Sequence, residues 1–288
     1  MSKGITLVLG GLGVKGIANI GVLQALVEHK VKIRRIVAAG IGVLVGAQFA
    51  LGRELEPLTE YFVRFFTEND RYLWGLEQLA GIVRSRKRRV VDSFTYFLRE
   101  RLFCQANLKR ISILPWELVE ADIENVLGGA SAADLKIPLA ISAIDLKRKT
   151  EVLLEDGDIK ERLKAGIAFP GLFPPVHIGD RELVSSTLYC EVPLGMVSRA
   201  KRPIVAVDIP SELSMHTPGS VIEIMAHMDE VRGVVIKEKL LSKADIILTL
   251  EGLRKFRWGS YKQIPQLISR ARGEMDRLLS SVDGPWKT

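Results

Sequence analysis

Two strand–turn–helix units occupy about the first fifty residues, and this alternation constrains the fold more than any other feature of the chain. Ile5–Leu9 is a short continuous apolar run, the pattern of a strand buried on both faces. A glycine-rich turn over Gly10–Gly16 follows, then Ile17–His29 with Ile20, Leu23 and Val27 at helical spacing. Ile33–Ala39 reads as a second buried strand and Val43–Leu51 as a second apolar helix. A strand that leaves through a helix re-enters its sheet parallel. The pattern therefore predicts an α/β fold: a three-layer α/β/α arrangement around a mostly parallel central sheet.

The rest of the chain continues this alphabet. Leu58, Phe62 and Phe65 mark one further helix, and Phe94, Phe97, Leu98 and Leu102 another. Strands are expected at Leu139–Ala143, Val152–Leu154, Ile204–Asp208 and Ile246–Leu250, with a final helix over 261–280. The run Phe169-Pro170-Gly171-Leu172-Phe173-Pro174-Pro175 can be neither helix nor central strand, because proline lacks the amide both need. No Pro/Gly/Ser-rich linker or repeat divides the sequence, so a single domain over 1–288 is expected. Within it, 66–132 is rich in charge and reads as a mostly helical cap or insertion.

Of the 288 residues, 47% are hydrophobic, enough for one large core. The formal charge of +7 favours anionic partners without choosing among them. The densest basic run, Arg84, Arg86, Lys87, Arg88 and Arg89, reads first as a solvated face. No aromatic residues interleave with it in the manner of a nucleic-acid surface, so nucleic acid ranks last among partners. Cys104 and Cys190 are far apart, and His29, His177, His216 and His227 are scattered. No metal site, disulfide framework or cofactor is expected. The apolar N-terminus is soon interrupted by Lys15, unlike a signal peptide. The longest apolar stretch, Val37–Leu51, falls short of the roughly 18–20 residues that span a bilayer. A cytoplasmic protein is expected, soluble or peripheral to the inner face of the membrane.

Two turns carry candidate chemistry. In Gly11-Leu12-Gly13-Val14-Lys15-Gly16, glycines between a strand and a helix free backbone amides to meet an anion or an oxyanion. The spacing also fits a dinucleotide fingerprint, but the acidic residue expected about 20 positions on is replaced by Ile33-Arg34-Arg35-Ile36, which argues against a nicotinamide cofactor. After the second strand comes Ala38-Ala39-Gly40-Ile41-Gly42. An α/β hydrolase sets its nucleophile on such a turn in the pattern G-x-S-x-G. Here Gly40 stands where the serine belongs and Ala38 where the first glycine belongs.

Taken in order, these motifs resemble the bacterial patatin-like phospholipases. Such proteins carry a GGGx(K/R)G oxyanion loop, a GxSxG elbow, an AxPxxFPP segment and a DG(G/A) motif that supplies an aspartate. Gly11–Gly16 is similar to the first, with Leu12 in place of the middle glycine and Lys15 at the basic position. Ala165–Pro175 is similar to the proline segment, and Asp145-Leu146 resembles the family's "tDL" element. Similarity covers about 4–64 and 132–280. Leu183-Val184-Ser185-Ser186-Thr187-Leu188 stands where members read roughly "LVDGGL", which puts Ser185 at the aspartate and Ser186-Thr187 at the glycines.

The resemblance implies a Ser–Asp dyad, in which the carboxylate is base to a serine that forms an acyl-enzyme. Gly40 and Ser185 supply neither group. With Leu12 they make three changes in separate motifs, the mark of drift after loss of selection and not of a single engineered knock-out. The implied protein is a pseudo-acyl-hydrolase. It would hold a lipid or acyl ligand, with Gly11, Leu12, Gly13, Lys15 and Gly16 as the binding loop, and act at an anionic membrane surface or on a protein partner. The alternative is an active phospholipid or lysophospholipid hydrolase. Its nucleophile would be Ser185, Ser186, Thr187 or Cys190, with Asp180, Glu182 or Glu191 as base. Gly40→Ser with Ser185→Asp is the pair of changes that would restore the dyad. The oligomeric state is left open.

Overall fold

The computed structural model describes residues 4–68, 111–112, 114–198, 203–210, 217–219, 221–256 and 261–284. The basic run Arg84–Arg89, the Phe94–Leu102 stripe and most of the expected 66–132 cap lie outside the described residues. Among the described residues, no helix is long and apolar enough to cross a membrane.

Eight strands form one sheet: β1 (Ile5–Leu9), β2 (Ile33–Ala38), β3 (Leu139–Asp145), β4 (Thr150–Leu154), β5 (Val176–Ile178), β6 (Arg181–Ser185), β7 (Ile204–Asp208) and β8 (Ile246–Thr249). Their order is β5-β6-β3-β2-β1-β7-β8, with β4 also paired to β3. Strands β3, β2, β1, β7 and β8 are mutually parallel, while β4, β6 and β5 attach antiparallel at one edge. All six strands expected from the sequence form. The pair β5 and β6 was not expected. It is a short hairpin, two of whose facing residues, His177 and Glu182, are polar, so no apolar run announces it.

Strand side chains alternate between the two faces of the sheet. Leu7, Leu9, Ile36, Ala38, Ile141 and Val207 pack into one buried cluster with residues of α1 (Asn19–Glu28), α2 (Gly42–Ala50) and the last helix, Ile264–Ser281. Val8, Val37, Ala140, Ile204 and Ala206 pack on the other face with Val192, Leu194 and Leu240. Leu240 belongs to a helix over Val221–Leu241. That helix was not expected, because its apolar residues point both ways: Leu240 is buried, whereas Met225, Met228 and Val235 are exposed.

The register of β3 sets the geometry of the site. Ile141 pairs with Ala38 of β2 and with Leu154 of β4, so those two strands flank it on opposite sides. Ala143 pairs with Val152 of β4 and with Ser185 of β6. Beyond Ala38, therefore, β6 takes up the side of β3 that β2 vacates. The end of β6 meets the turn that follows β2.

Asp145 closes the β3–β4 turn. Its buried carboxylate accepts the amides of Lys147 (3.0 Å) and Arg148 (3.1 Å) and Nη1 of Arg148 (2.8 Å). Arg148 also pairs with Asp180 in the β5–β6 turn, which ties the two hairpins together. The Arg148 guanidinium, with the two amides, holds the Asp145 carboxyl below its ordinary range. A depressed folded-state pKa contributes stability that is fully present above the unfolded value of about 3.9 and is lost as pH falls through the lowered one. Asp145→Asn should therefore lower the melting temperature at neutral pH, and its deficit should shrink once the pH falls below about 4. Thermal melts of both proteins across that range check this.

Candidate functional site

The first glycine turn is pinned from within by Asn19, the first residue of α1. Its buried Nδ2 donates to the carbonyls of Gly10 (2.7 Å) and Gly16 (2.9 Å). Gly16 lies so close to its neighbours that a Cβ there would come within 2.7 Å of Ile41 Cβ, so the loop rests directly on the turn after β2. Loop residues Gly11, Leu12 and Gly13 lead into a short 3-10 helix over Gly13–Ala18. Among the described residues, no acceptor is found for the Leu12 and Gly13 amides.

Gly40 sits on the second turn with φ +58°, in the left-handed region that L side chains rarely adopt. Its amide donates to the carbonyl of Gly166 (3.1 Å). Two residues further along the same segment, the Ala168 carbonyl accepts the Ser185 amide (2.9 Å). The stretch that opens the proline-rich segment thus clamps the end of β6 against the β2 turn. Phe169, Leu172 and Phe173 follow the clamp as buried side chains.

These elements line a cavity of about 110 Å³. Gly11, Leu12, Gly13, Gly40 and Ser185, separate in sequence, all line it. Leu12 and Ile41 edge the cavity without filling it. Most of the remaining wall is apolar, with Phe62 and Phe65 from a helix over Glu56–Glu68 and Val119, Ile123 and Val126 from a helix over Glu120–Leu127 and the residue before it. Gln48 of α2 and Arg53 anchor the end of that second helix by donating to the Val126 carbonyl, Arg53 at 2.6 Å. Gln48 is the lone polar side chain of an otherwise apolar helix, and this is its use.

Two positions of the expected loop do not reach the cavity. Lys15 is buried elsewhere, and its Nζ donates to the Pro210 carbonyl (2.8 Å). Gly16 is packed beneath the loop. The ligand-facing part of the motif is thus Gly11–Gly13, and its basic residue is spent on holding the chain at 210.

Among the described residues, the hydroxyls near the Ser185 position bond only one another and the backbone. Ser185 Oγ and Thr187 Oγ1 lie 3.1 Å apart, and Ser186 Oγ donates to the Ser142 carbonyl at 3.4 Å. Among the described residues, no carboxylate or imidazole hydrogen-bonds to any of the three. Asp180 is paired with Arg148 and Glu191 with Lys237 (3.8 Å). Burial pushes the Cys190 thiol up to about 11, so it is not a poised thiolate.

Thr187 has a second consequence. A Cβ added at Gly40 would lie 2.7 Å from Thr187 Cγ2 and 3.0 Å from the Gly11 carbonyl oxygen. Turning the threonine aside would break its contact with Ser185. A serine at 40 therefore collides with the side chain that replaces the second glycine of the DGG-like motif.

A family model described as patatin-like phospholipase matches residues 7–196. The chain belongs to the patatin-like phospholipase family. An uncharacterized NTE family protein of Mycobacterium tuberculosis is 25% identical over 219 residues, 76% of this chain and 50% of that protein. Lysophospholipase NTE1 of Debaryomyces hansenii is 25% identical over 211 residues, 73% of this chain and 12% of that protein. This patatin-like chain thus spans half the length of the mycobacterial relative it matches. In fold it is similar to the crystal structure of VipD from Legionella pneumophila, with TM-score 0.50 at 13% identity, over 97% of this chain and 67% of that one.

Sequence reasoning missed two site residues, and both had a signal. Asn19 is a polar residue inside an apolar helix, three positions after Gly16. Asp122 lines the cavity beside Val119, Ile123 and Val126, an acid set within an i, i+3, i+4, i+7 apolar stripe. Asn19→Ala would leave two buried carbonyls short of a donor and should cost about 1–3 kcal/mol in urea unfolding.

Proposed function

We propose that this protein is a patatin-like pseudoenzyme that has given up acyl transfer and keeps the cavity for a lipid or acyl ligand. One observation carries the reading: at position 40 there is no side-chain oxygen, and Thr187 Cγ2 lies only 2.7 Å from where a Cβ would stand. Loss of a nucleophile alone could be recent. Loss together with infilling from a second motif argues that no acyl-enzyme has formed here for long.

The ligand reading rests on the walls. Phe62, Phe169, Leu172, Phe173 and Val126 would shed water from an alkyl chain, at about 0.8 kcal/mol per buried methylene. The Leu12 and Gly13 amides at the start of a helical turn could receive a carbonyl or ester oxygen. The fungal relative is named a lysophospholipase, which makes a single-chain lipid the natural class to try first. The formal charge of +7 would bring the protein to an anionic membrane surface, at its inner face if the protein is cytoplasmic. A protein partner is the other place such a binder could deliver its signal.

The alternative, hydrolysis by another hydroxyl, finds little support. Ser185 and Thr187 bond each other, and among the described residues no base hydrogen-bonds to either. The geometry also changes the repair. Gly40→Ser with Ser185→Asp leaves the collision in place, so Thr187→Gly is needed as a third change. We expect the triple variant to hydrolyse a p-nitrophenyl acyl ester at least about ten-fold faster than the double variant and the natural protein. Equal and measurable hydrolysis by all three, the natural protein included, would sink the reading.

A further inference from the structure

We propose that the cavity selects single-chain amphiphiles whose head group donates a hydrogen bond and carries no negative charge, and that Asp122 makes the selection. This rests on the binding role proposed above and adds the class of head group.

The charge inventory of the wall motivates it. Among the described residues that line the cavity, Asp122 is the only acidic or basic side chain. The cation that the motif offers, Lys15, is directed to the Pro210 carbonyl. Among the described residues, Lys164 lies 5.2 Å over the ring of Trp116, which in turn stacks on Phe173 at 4.8 Å. Phe173 is the wall, so two aromatic rings stand between that ammonium and the cavity.

The carboxyl itself is half-buried on the helix that forms the wall. Burial pushes its pKa up, and the Tyr61 hydroxyl, which also faces the cavity, donates to it and partly offsets the shift. One hydroxyl does not exhaust two carboxylate oxygens, which together accept about four hydrogen bonds. Among the described residues no second donor reaches it, which leaves that place to a ligand. A chain ending in an alcohol or an ammonium supplies one. A chain ending in a carboxylate would place a second negative charge beside a half-buried carboxyl, where like charges disfavour each other. Fatty acids and other anionic chains are therefore disfavoured, although the protein as a whole is basic.

The test is displacement of a neutral dansyl-alkyl probe from the full chain at about pH 8, where carboxylates are ionised. Dodecanol, dodecylammonium and dodecanoate share one chain and differ only in the head. Dodecanol or dodecylammonium should displace the probe at least about ten-fold more effectively than dodecanoate. In Asp122→Asn, which keeps the shape and an acceptor for Tyr61, that ratio should fall towards one. In Tyr61→Phe, which leaves the carboxylate in place, the ratio should be kept. The better of the two favoured heads tells whether the partner of Asp122 is a hydroxyl or a cation. Displacement by all three alike, or a ratio unchanged in Asp122→Asn, would overturn the selection and leave the binding role standing. If neither the probe nor any of the three binds the folded protein, the binding role itself is wrong, and this inference goes with it.

Discussion

Two backbone hydrogen bonds hold the site together. The amides of Gly40 and Ser185 donate to the carbonyls of Gly166 and Ala168, two residues apart on one segment. Through them the turn after a parallel strand and the end of an antiparallel hairpin strand become one surface, although 145 positions separate residues 40 and 185. Gly166 sits tightly between Ile141 of β3 and Val43 of α2, where a Cβ would come within 2.6 and 2.8 Å of their side chains. Its carbonyl is fixed by the same packing that seats α2 on the sheet. The scaffold of the site is thus made by backbone and core, not by the side chains that chemistry would need.

That division would let a chain of this fold lose a reaction and keep a cavity, as the proposed function requires. A dyad is two side chains, and losing them disturbs none of the interactions that bring their positions together. Asn19 still braces the glycine loop, Asp145 and Arg148 still join the two hairpins, and Gln48 with Arg53 still holds the wall helix. A buried network of this kind is costly to leave half-made, whatever stands at positions 40 and 185.

Much of the fold was legible in the sequence because its signals are local. Buried parallel strands are continuous apolar runs, and Ile5–Leu9, Ile33–Ala38 and Ile204–Asp208 are all of that kind. The hairpin β5–β6 was not legible, since a short edge hairpin with His177 opposite Glu182 has no apolar signature. Nor was the helix over Val221–Leu241, whose apolar residues are split between core and solvent. The motif positions lining the cavity were legible as Gly11, Leu12, Gly13, Gly40 and Ser185. The fate of Lys15 was not, because its partner is a backbone carbonyl 195 residues away. The collision between Thr187 and position 40 was equally hidden, since only the register of β3 brings those two residues face to face.

The central claim is that the cavity holds no activated nucleophile. Reaction of the folded protein with an alkyl fluorophosphonate, followed by peptide mass mapping, tests it most directly. The account predicts no phosphonylated residue in the peptides carrying 40 and 185–190 under conditions where an active serine hydrolase labels to completion. A stoichiometric adduct on Ser185, Ser186 or Thr187 that disappears on heat denaturation would contradict it.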